Sequence, residues 1–217
     1  MAPILQHDAP MQVTVVDHPL VAERLTRLRD KTTKRAEFRR NLDELTTFLV
    51  YEAMRTLPVV PIDIDTPVAP TQGVQVANPP LVVPVMRAGL GMLHPTLDVI
   101  PNARVGFVGL RRDEETFLPH AYVNTVPEQL DGKHVLVLDP MLATGGSLVH
   151  TCNLLRDAGA GPMTIVCVLA APEGVETFGA AGFDAQLFTG SIDERLNDTA
   201  YIVPGLGDAG DRQFGLA

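Results

Sequence analysis

Tryptophan is absent from this 217-residue chain, and cysteine occurs only twice. Cys152 and Cys167 form neither a disulfide framework nor a C-x-x-C pair, so we expect two reduced thiols in the core. No apolar run approaches the length of a membrane span. The first 13 residues lack the basic and apolar regions of a signal peptide. These absences exclude a disulfide-stapled scaffold, and they predict a cytoplasmic protein without a membrane partner.

Positive charge is scarce, because 17 Lys and Arg residues are set against 26 Asp and Glu residues, for a net charge of −9. A nucleic-acid-binding protein needs a basic face, so this balance argues against nucleic acid as a partner. The same balance would repel an anionic substrate. Any site for such a substrate should therefore gather arginines locally.

Several common catalytic motifs are missing as well. The chain has no G-x-x-x-x-G-K-[ST] sequence, which excludes a P-loop NTPase. No G-x-G-x-x-G sequence follows any of the apolar runs between residues 81 and 188, which leaves a dinucleotide fold unsupported. It has no G-x-S-x-G motif, no Cys/His signature of a nucleophilic enzyme, and no metal-ligand spacing among its six histidines. Neither a protein nucleophile nor a dedicated metal cage is indicated.

The patterns that are present indicate an α/β fold in a single domain of residues 1–217. Short apolar runs alternate with helical patterns from residue 81 onward, which predicts a parallel β-sheet flanked by helices over residues 81–200. The runs are residues 81–86, 105–108, 135–138, 164–169 and 185–188. Ligands of such a sheet bind at the carboxyl ends of its strands.

Two further parts precede this core. Residues 1–56 are predicted to be mainly helical after a short strand at residues 12–16, because apolar residues recur at helical spacing from Val21 and again from Phe38. Residues 57–80 are rich in proline and alternate apolar with polar residues, which predicts a β-arm.

The segment from residue 135 to residue 147, VLVLDPMLATGGS, predicts a strand, a loop and a helix start in that order. Glycines in such a loop let backbone N–H groups converge on an anion, and the helix dipole favours negative charge there. Asp139 lies at the end of the strand, where its carboxylate can accept hydrogen bonds from sugar hydroxyls. The combination fits a ribose 5-phosphate, although an ordinary strand-to-helix turn capped by Ser147 has the same pattern.

Residues 135–147 resemble the phosphoribosyl-diphosphate loop of phosphoribosyltransferases. In most of that superfamily the strand ends in two acidic residues, whereas here the second is Pro140, and the sequence DPMLATGGS resembles the uracil phosphoribosyltransferase family. Residues 84–92 resemble the first arginine loop of that family, and residues 112–116 resemble the second. The C-terminal segment of residues 201–217 resembles its base-binding segment. Four motifs in the family's order extend the resemblance over nearly the whole chain.

The resemblance implies the phosphoribosyltransferase fold and an enzyme of pyrimidine salvage. Its reaction would transfer a phosphoribosyl group from 5-phospho-α-D-ribose 1-diphosphate (PRPP) to N1 of uracil, giving UMP and diphosphate. The family also implies Mg²⁺ bound mainly through PRPP and water, and a homodimer or higher homo-oligomer. GTP is a possible allosteric effector, because some family members respond to it. A phosphoribosyltransferase for another nucleobase and a PRPP-binding regulator that binds RNA stay open as alternatives.

Site residues follow from the same resemblance. PRPP would be bound by Arg87, Arg112, Asp139, Pro140, Met141, Leu142, Ala143, Thr144, Gly145, Gly146, Ser147 and Asp208. Uracil would be bound by Ile202, Gly207, Asp208 and Ala209. Arg112 and Asp208 are the catalytic candidates. Arg87 and Arg112 would pair with the diphosphate through their guanidinium forks, while Asp208 would lie near the leaving group or its hydrated Mg²⁺.

Structural roles compete with three of these assignments. Arg87 could be a solvated loop residue, and Arg112 could belong to a charged surface run. Asp208 could simply order a glycine-rich turn.

The chain departs from the family pattern at two places. Arg111 stands where a tyrosine is common, and a lysine often found near Thr125 is missing. We expect residues 121–127 to form a flap over the diphosphate. Our hypothesis is that Arg111 compensates there for the missing cation.

Overall fold

The structure is a computed structural model that describes residues 11–112 and 119–215, and for residues 111–112 and 119–121 it describes the backbone alone. Its strands, in chain order, are β1 (Gln12–Val15), β2 (Val59–Asp65), β3 (Pro70–Val76), β4 (Leu81–Met86), β5 (Arg104–Val105), β6 (Val108–Arg112), β7 (Pro119–Asn124), β8 (Val135–Leu138), β9 (Met141–Leu142), β10 (Met163–Ala170), β11 (Ala185–Ile192), β12 (Arg195–Leu196) and β13 (Ile202–Val203). Its helices are α1 (Pro19–Arg29), α2 (Arg35–Ala53), α3 (Leu90–Val99), α4 (Gly146–Asp157), α5 (Pro172–Ala180) and α6 (Ala209–Phe214).

In the described part of the chain, nine strands form the main sheet, whose central path runs in the order β1-β11-β10-β8-β4-β6-β7. Neighbours along this path are parallel, except for the antiparallel pair β6 and β7. All eight residues of β10 and all four of β8 are buried. These central strands consist of continuous apolar runs because both faces of the sheet are covered.

Helices cover the two faces. Val82 and Leu138 pack in one cluster with the apolar sides of α1, α2 and α3. Val83 and Val137 pack in a second cluster with α4 and α5. Since side chains alternate between the faces of a strand, one short apolar run supplies both clusters. The resulting three layers confirm the predicted α/β fold with a mostly parallel sheet.

The N-terminal helices follow the predicted apolar spacing. Helix α1 buries Val21, Leu25 and Leu28, and α2 buries a stripe that runs from Phe38 to Ala53. Helix α2 contacts both α1 and α3. The N-terminal region is therefore packed onto the sheet as part of its helical layer.

The proline-rich stretch forms an antiparallel hairpin of β2 and β3, as its alternating pattern predicts. The pairing runs from Val59 opposite Val76 to Asp65 opposite Pro70. Most side chains of both strands are exposed. The hairpin therefore forms an arm with little packing of its own.

The structure differs from the predicted elements in three places. The apolar run at residues 105–108 is split between β5 and β6, because these two strands pair with opposite ends of β4. Residues 209–214, in the glycine-rich segment, form helix α6. Residues 119–124, which overlap the predicted flap, form strand β7, which pairs antiparallel with β6 at the edge of the sheet.

Two of the expected absences can be compared with the structure. Both cysteines are buried and free, as predicted. Among the residues that the structure describes, no helix is long and apolar enough to span a bilayer.

Candidate active site

A pocket of about 450 Å³ opens at the carboxyl ends of β4 and β8. Arg87 and Ala88 follow β4, and Asp139 follows β8, so parallel neighbouring strands deliver both segments to the same edge of the sheet. The loop before α4 forms one wall, and residues 199–201 form another. Three segments that are far apart in the sequence thus meet around one space.

The loop wall has the local geometry that suits an anion. Helix α4 begins at Gly146, and Gly145 is its N-cap with a φ of 83°. Glycine adopts that left-handed conformation at little energetic cost. The first N–H groups of a helix have no partner within the helix, and here they lie beside pocket residues Thr144 and Ser147. An anion in the pocket can accept from these groups.

Helix α5 supports the loop from behind. A Cβ atom at Gly174 would lie 2.3 Å from the carbonyl oxygen of Ala143. The backbone of α5 therefore lies directly against the backbone of the loop, and this contact requires glycine at position 174. The loop is held against a rigid element of the fold.

Asp139 is half-buried and lines the pocket. Its Oδ1 accepts a hydrogen bond from the Met141 N–H at 3.3 Å. Burial raises the pKa of Asp139 from 3.8 to about 7, and the hydrogen bond from Met141 offsets only part of that effect. The ionised carboxylate can therefore accept further hydrogen bonds, and the hydroxyl groups of a ribose could donate them.

Arg87 is the cation that the described residues bring to this pocket. Its side chain is 50% exposed, and its Nη2 lies 3.7 Å from Oδ1 of Asp211 on α6. An ion pair at that distance and exposure stabilises the fold only slightly. The guanidinium can therefore exchange Asp211 for an anionic ligand. Arg112 ends β6, but its side chain lies outside the described part of the chain.

A smaller pocket of about 230 Å³ adjoins the first. Ile202, Gly207, Asp208 and Ala209, the four predicted uracil-binding residues, all line it. The two pockets share the lining residues Ala88, Met141, Ala143, Ala200, Tyr201 and Asp208. A small molecule in one pocket would therefore lie directly beside a molecule in the other.

Asp208 combines a structural role with its place in the site. Its Oδ1 accepts a hydrogen bond from the Asp211 N–H at 2.8 Å, which caps the start of α6. A carboxylate has two oxygens, so capping this helix is compatible with contacting a ligand. The alternative role suggested by the sequence, ordering the local chain, is therefore present alongside the predicted one.

The structure brings most of the predicted PRPP-binding residues to the larger pocket. Those that line it are Arg87, Asp139, Met141, Leu142, Ala143, Thr144, Gly145, Ser147 and Asp208. Pro140 is buried, and its carbonyl oxygen accepts hydrogen bonds from two residues of β10, so it anchors the loop to the sheet. Gly146 begins α4 and contributes backbone to the helix start. Binding of PRPP by these residues stays a prediction.

Sequence reasoning missed part of the pocket wall. Thr199, Ala200 and Tyr201 line the larger pocket, in a tight loop organised by Asn197. The Asn197 side-chain oxygen accepts hydrogen bonds from the N–H groups of Thr199 and Tyr201. An Asn followed by small polar residues does indicate such a turn. Its position beside the pocket follows only from the tertiary structure.

Metal binding can be assessed from the donor groups present. In the part of the chain that the structure describes, no group of three or more His, Cys, Asp or Glu side chains could hold a metal ion. The carboxylates of the larger pocket are Asp139 and Asp208. This donor set fits a hydrated Mg²⁺ held mainly by a diphosphate, because Mg²⁺ retains several of its waters.

A mostly parallel sheet whose strand–loop–helix turn opens onto two adjoining pockets is the arrangement of the phosphoribosyltransferase class. The fold is shared with an adenine phosphoribosyl transferase from Trypanosoma brucei, at a TM-score of 0.50 and 14% identity over 87% of this chain and 86% of that one. A similarity at this low identity concerns the fold alone.

Closer relatives are found as well. The AQ2163 protein from Aquifex aeolicus superposes with a TM-score of 0.87 and 38% identity, over 95% of this chain and 99% of that chain. Proteins named uracil phosphoribosyltransferase from Corynebacterium diphtheriae and Streptomyces griseus are 52% and 54% identical, covering 94% and 95% of this chain and 97% and 100% of their own lengths. The family profile described as uracil phosphoribosyltransferase matches residues 15–216. The chain belongs to the uracil phosphoribosyltransferase family.

Proposed function

We propose that this protein transfers the phosphoribosyl group of PRPP to N1 of uracil, forming UMP and diphosphate. The observation that carries the proposal is the pair of adjoining pockets. The larger one is lined by the loop before α4 and by Arg87, and the smaller one is lined by a glycine-rich segment. A base in the smaller pocket can present N1 to the anomeric carbon of a sugar in the larger pocket.

Three parts of PRPP match three parts of the larger pocket. The 5-phosphate fits the start of α4, where N–H groups and the Thr144 and Ser147 hydroxyls can donate to its oxygens. The ribose hydroxyls fit Asp139, whose carboxylate can accept from both of them. The diphosphate fits Arg87, because a guanidinium fork matches phosphate oxygens. Arg112 is proposed as a second cation for the diphosphate.

The reaction needs positioning and charge stabilisation more than it needs a protein nucleophile. The bond from the anomeric carbon to the diphosphate oxygen breaks, a bond from that carbon to N1 of uracil forms, and the N1 proton is released. The anomeric carbon passes through an oxocarbenium-like state, as in glycoside hydrolysis. Arg87 and Arg112 would stabilise charge on the departing diphosphate. Asp208 lines both pockets. In this proposal the bonds would change beside it.

Mg²⁺ belongs to the proposal as a counter-ion. When bound, it would neutralise part of the charge of the diphosphate. Asp139 and Asp208 are the pocket carboxylates that could accept hydrogen bonds from its waters.

Uracil selectivity would come from backbone groups in the smaller pocket. Uracil presents a C=O, N–H, C=O edge, and the backbone of Ile202 and of residues 207–209 can offer complementary N–H and C=O groups. Cytosine carries an amino group in place of one carbonyl. A backbone N–H that faces this amino group loses its partner, and a buried unpaired donor is unfavourable by about 1–3 kcal/mol.

We also propose a homo-oligomer. Val59, Val68 and Val74 on the β-arm are 54%, 94% and 69% exposed. An apolar groove of about 520 Å³ lies beside the base of the arm and includes Tyr51 and Val76. Burying these groups against a second copy would remove apolar surface from water. Light scattering during size-exclusion chromatography measures the oligomeric state, and a monomeric mass for the unmodified protein would contradict the proposed homo-oligomer.

The enzymatic proposal is tested by ultraviolet-monitored UMP formation from PRPP with a panel of uracil, cytosine, adenine and hypoxanthine. We expect product with uracil, a strong dependence on Mg²⁺, and little product with the other bases. GTP, which stays a candidate effector, is added in a parallel arm. Product with a purine and none with uracil would contradict the proposal.

A paired substitution links the activity to this pocket. Arg87→Met should raise the KM for PRPP at least tenfold, since it removes the pocket cation. Arg40→Met is the matched control, because Arg40 is 80% exposed on α2, where it lies 3.7 Å from Glu44. Equal kinetics for the two variants would show that Arg87 is not part of the site.

A further inference from the structure

An ion pair outside both pockets reaches from the N-terminal helix to the uracil-binding segment. Arg29, the last residue of α1, donates from Nη1 to Oδ2 of Asp193 at 2.7 Å and from Nη2 to Oδ1 at 2.6 Å. The Asp193 side chain is 2% exposed, whereas that of Arg29 is 26% exposed. Two parallel bonds of this kind define a rigid, oriented pair.

Both members of the pair also bind the backbone of Gly205. The Gly205 N–H donates to Oδ2 of Asp193 at 2.9 Å, and the Gly205 carbonyl oxygen accepts from Nη1 of Arg29 at 3.0 Å. Gly205 is buried and has a φ of 62°. A Cβ atom there would lie 2.1 Å from the Ile202 carbonyl oxygen. The backbone donor and the backbone acceptor of this one residue are thus held by a single ion pair.

Asp193 is stabilised as a carboxylate despite its burial. Burial opposes its ionisation, but hydrogen bonds from Arg29 and from the Ser191 hydroxyl outweigh that effect and lower the pKa of Asp193 below its usual value. The pair therefore remains charged at neutral pH. Removing Arg29 would leave a buried charge with less compensation.

The location of Gly205 gives the pair a consequence for binding. Gly205 lies between two stretches that line the smaller pocket, residues 200–202, which end at Ile202, and residues 207–210, which begin at Gly207. The spacing between the backbone groups of Ile202 and those of Gly207 decides whether they can meet both sides of a uracil edge. A residue held at its N–H and its C=O restricts that spacing.

We propose that Arg29 and Asp193 are positioning residues for uracil recognition: from outside the pocket, they fix the Gly205 turn so that the flanking backbone groups fit the base. The inference rests on the proposed function and adds a role for α1 in base selectivity. Arg29 does not touch the substrate in this account. Its effect should therefore fall on uracil and leave PRPP nearly unaffected, because the anion site lies on α4.

The test compares Arg29→Met with Arg24→Met in the same helix. Arg24 is also an ion-paired arginine, 23% exposed, but its partners Glu23 and Glu44 belong to α1 and α2. We expect Arg29→Met to raise the KM for uracil about tenfold, equivalent to about 1.4 kcal/mol, with the KM for PRPP within about twofold. Its ratio of UMP to CMP formation should fall. Arg24→Met should change neither the KM for uracil nor the KM for PRPP.

Arg29→Lys is the second variant. A lysine can keep a charge contact with Asp193 but cannot reproduce the fork that also reaches Gly205. It should give an intermediate KM for uracil with a melting temperature close to that of the unmodified protein, and it decides the question if Arg29→Met fails to fold. A KM for uracil unchanged in the folded variants, or a parallel rise in both KM values, would overturn the inference. Failure of the unmodified protein to form UMP would instead overturn the proposed function.

Discussion

Replacing Asp139 by Asn should stabilise the protein while impairing its reaction. Burial raises the pKa of this carboxyl from 3.8 to about 7. Since a tenfold change in an equilibrium constant corresponds to about 1.4 kcal/mol, keeping Asp139 ionised in the folded state costs up to about 4 kcal/mol. Pocket water screens part of this, so we expect Asn to raise the free energy of unfolding by about 2–4 kcal/mol at pH 8. The amide oxygen can still accept the Met141 N–H.

The pH dependence of this gain has a definite sign. Below pH 3.8 the carboxyl is protonated in both the folded and the unfolded state, so it has no effect on stability. Between pH 3.8 and about 7 the folded protein retains a proton that the unfolded chain releases, and the free energy of unfolding falls as the pH rises. Above about pH 7 the full destabilisation is present. The advantage of the Asn variant should therefore be large at pH 8 and shrink toward pH 5.

Urea unfolding of both proteins at pH 5, 6, 7 and 8 measures this difference, and titration of other groups cancels in the comparison. In the same series, the Asn variant should lose at least tenfold in kcat/KM for PRPP, because an amide cannot accept from two hydroxyls as a carboxylate does. The kcat/KM of the unmodified enzyme should fall as the pH drops below about 7, and the variant should lack this step. An Asn variant with no gain in stability, or with a gain that is the same at every pH, would refute the assignment of a raised pKa to Asp139.

Three other substitutions, one of them with a matched control, test the rest of the site. Gly174→Ala should raise the KM for PRPP and destabilise the fold by about 1–3 kcal/mol, since the added Cβ would lie 2.3 Å from the Ala143 carbonyl oxygen. The control is Gly179→Ala in the same helix, where the nearest contact of the added Cβ is at 3.8 Å. This control should stabilise the fold by about 0.5–1 kcal/mol. Asp208→Asn should keep its helix cap and melting temperature but lose about 100-fold in turnover, so near-normal turnover would contradict its role. Arg111→Tyr should raise the KM for PRPP, and an unchanged or lower value would remove the proposed compensation.

Local sequence patterns determined the buried strands of this protein and the loop that precedes α4. The apolar runs at residues 81–86 and 135–138 predicted buried parallel strands because continuous β-branched and aliphatic stretches suit a sheet covered on both faces. The glycines before α4 predicted an anion site, since backbone conformation and helix-start N–H groups are local properties. Because the carboxyl ends of parallel strands lie at the same edge of a sheet, the sequence also predicted that the segments after these strands would lie close together.

The tertiary structure alone decided which distant residues meet. It brought residues 199–201 into the wall of the larger pocket, and it joined Arg29 to Asp193 and Gly205. It also raised the pKa of Asp139, because burial depends on what packs around a carboxyl. Propensity and spacing act over a few residues, so they can specify a strand, a turn or a helix start. Contacts between separate segments, and the solvent exposure that sets a charge, exist only after those elements have packed together.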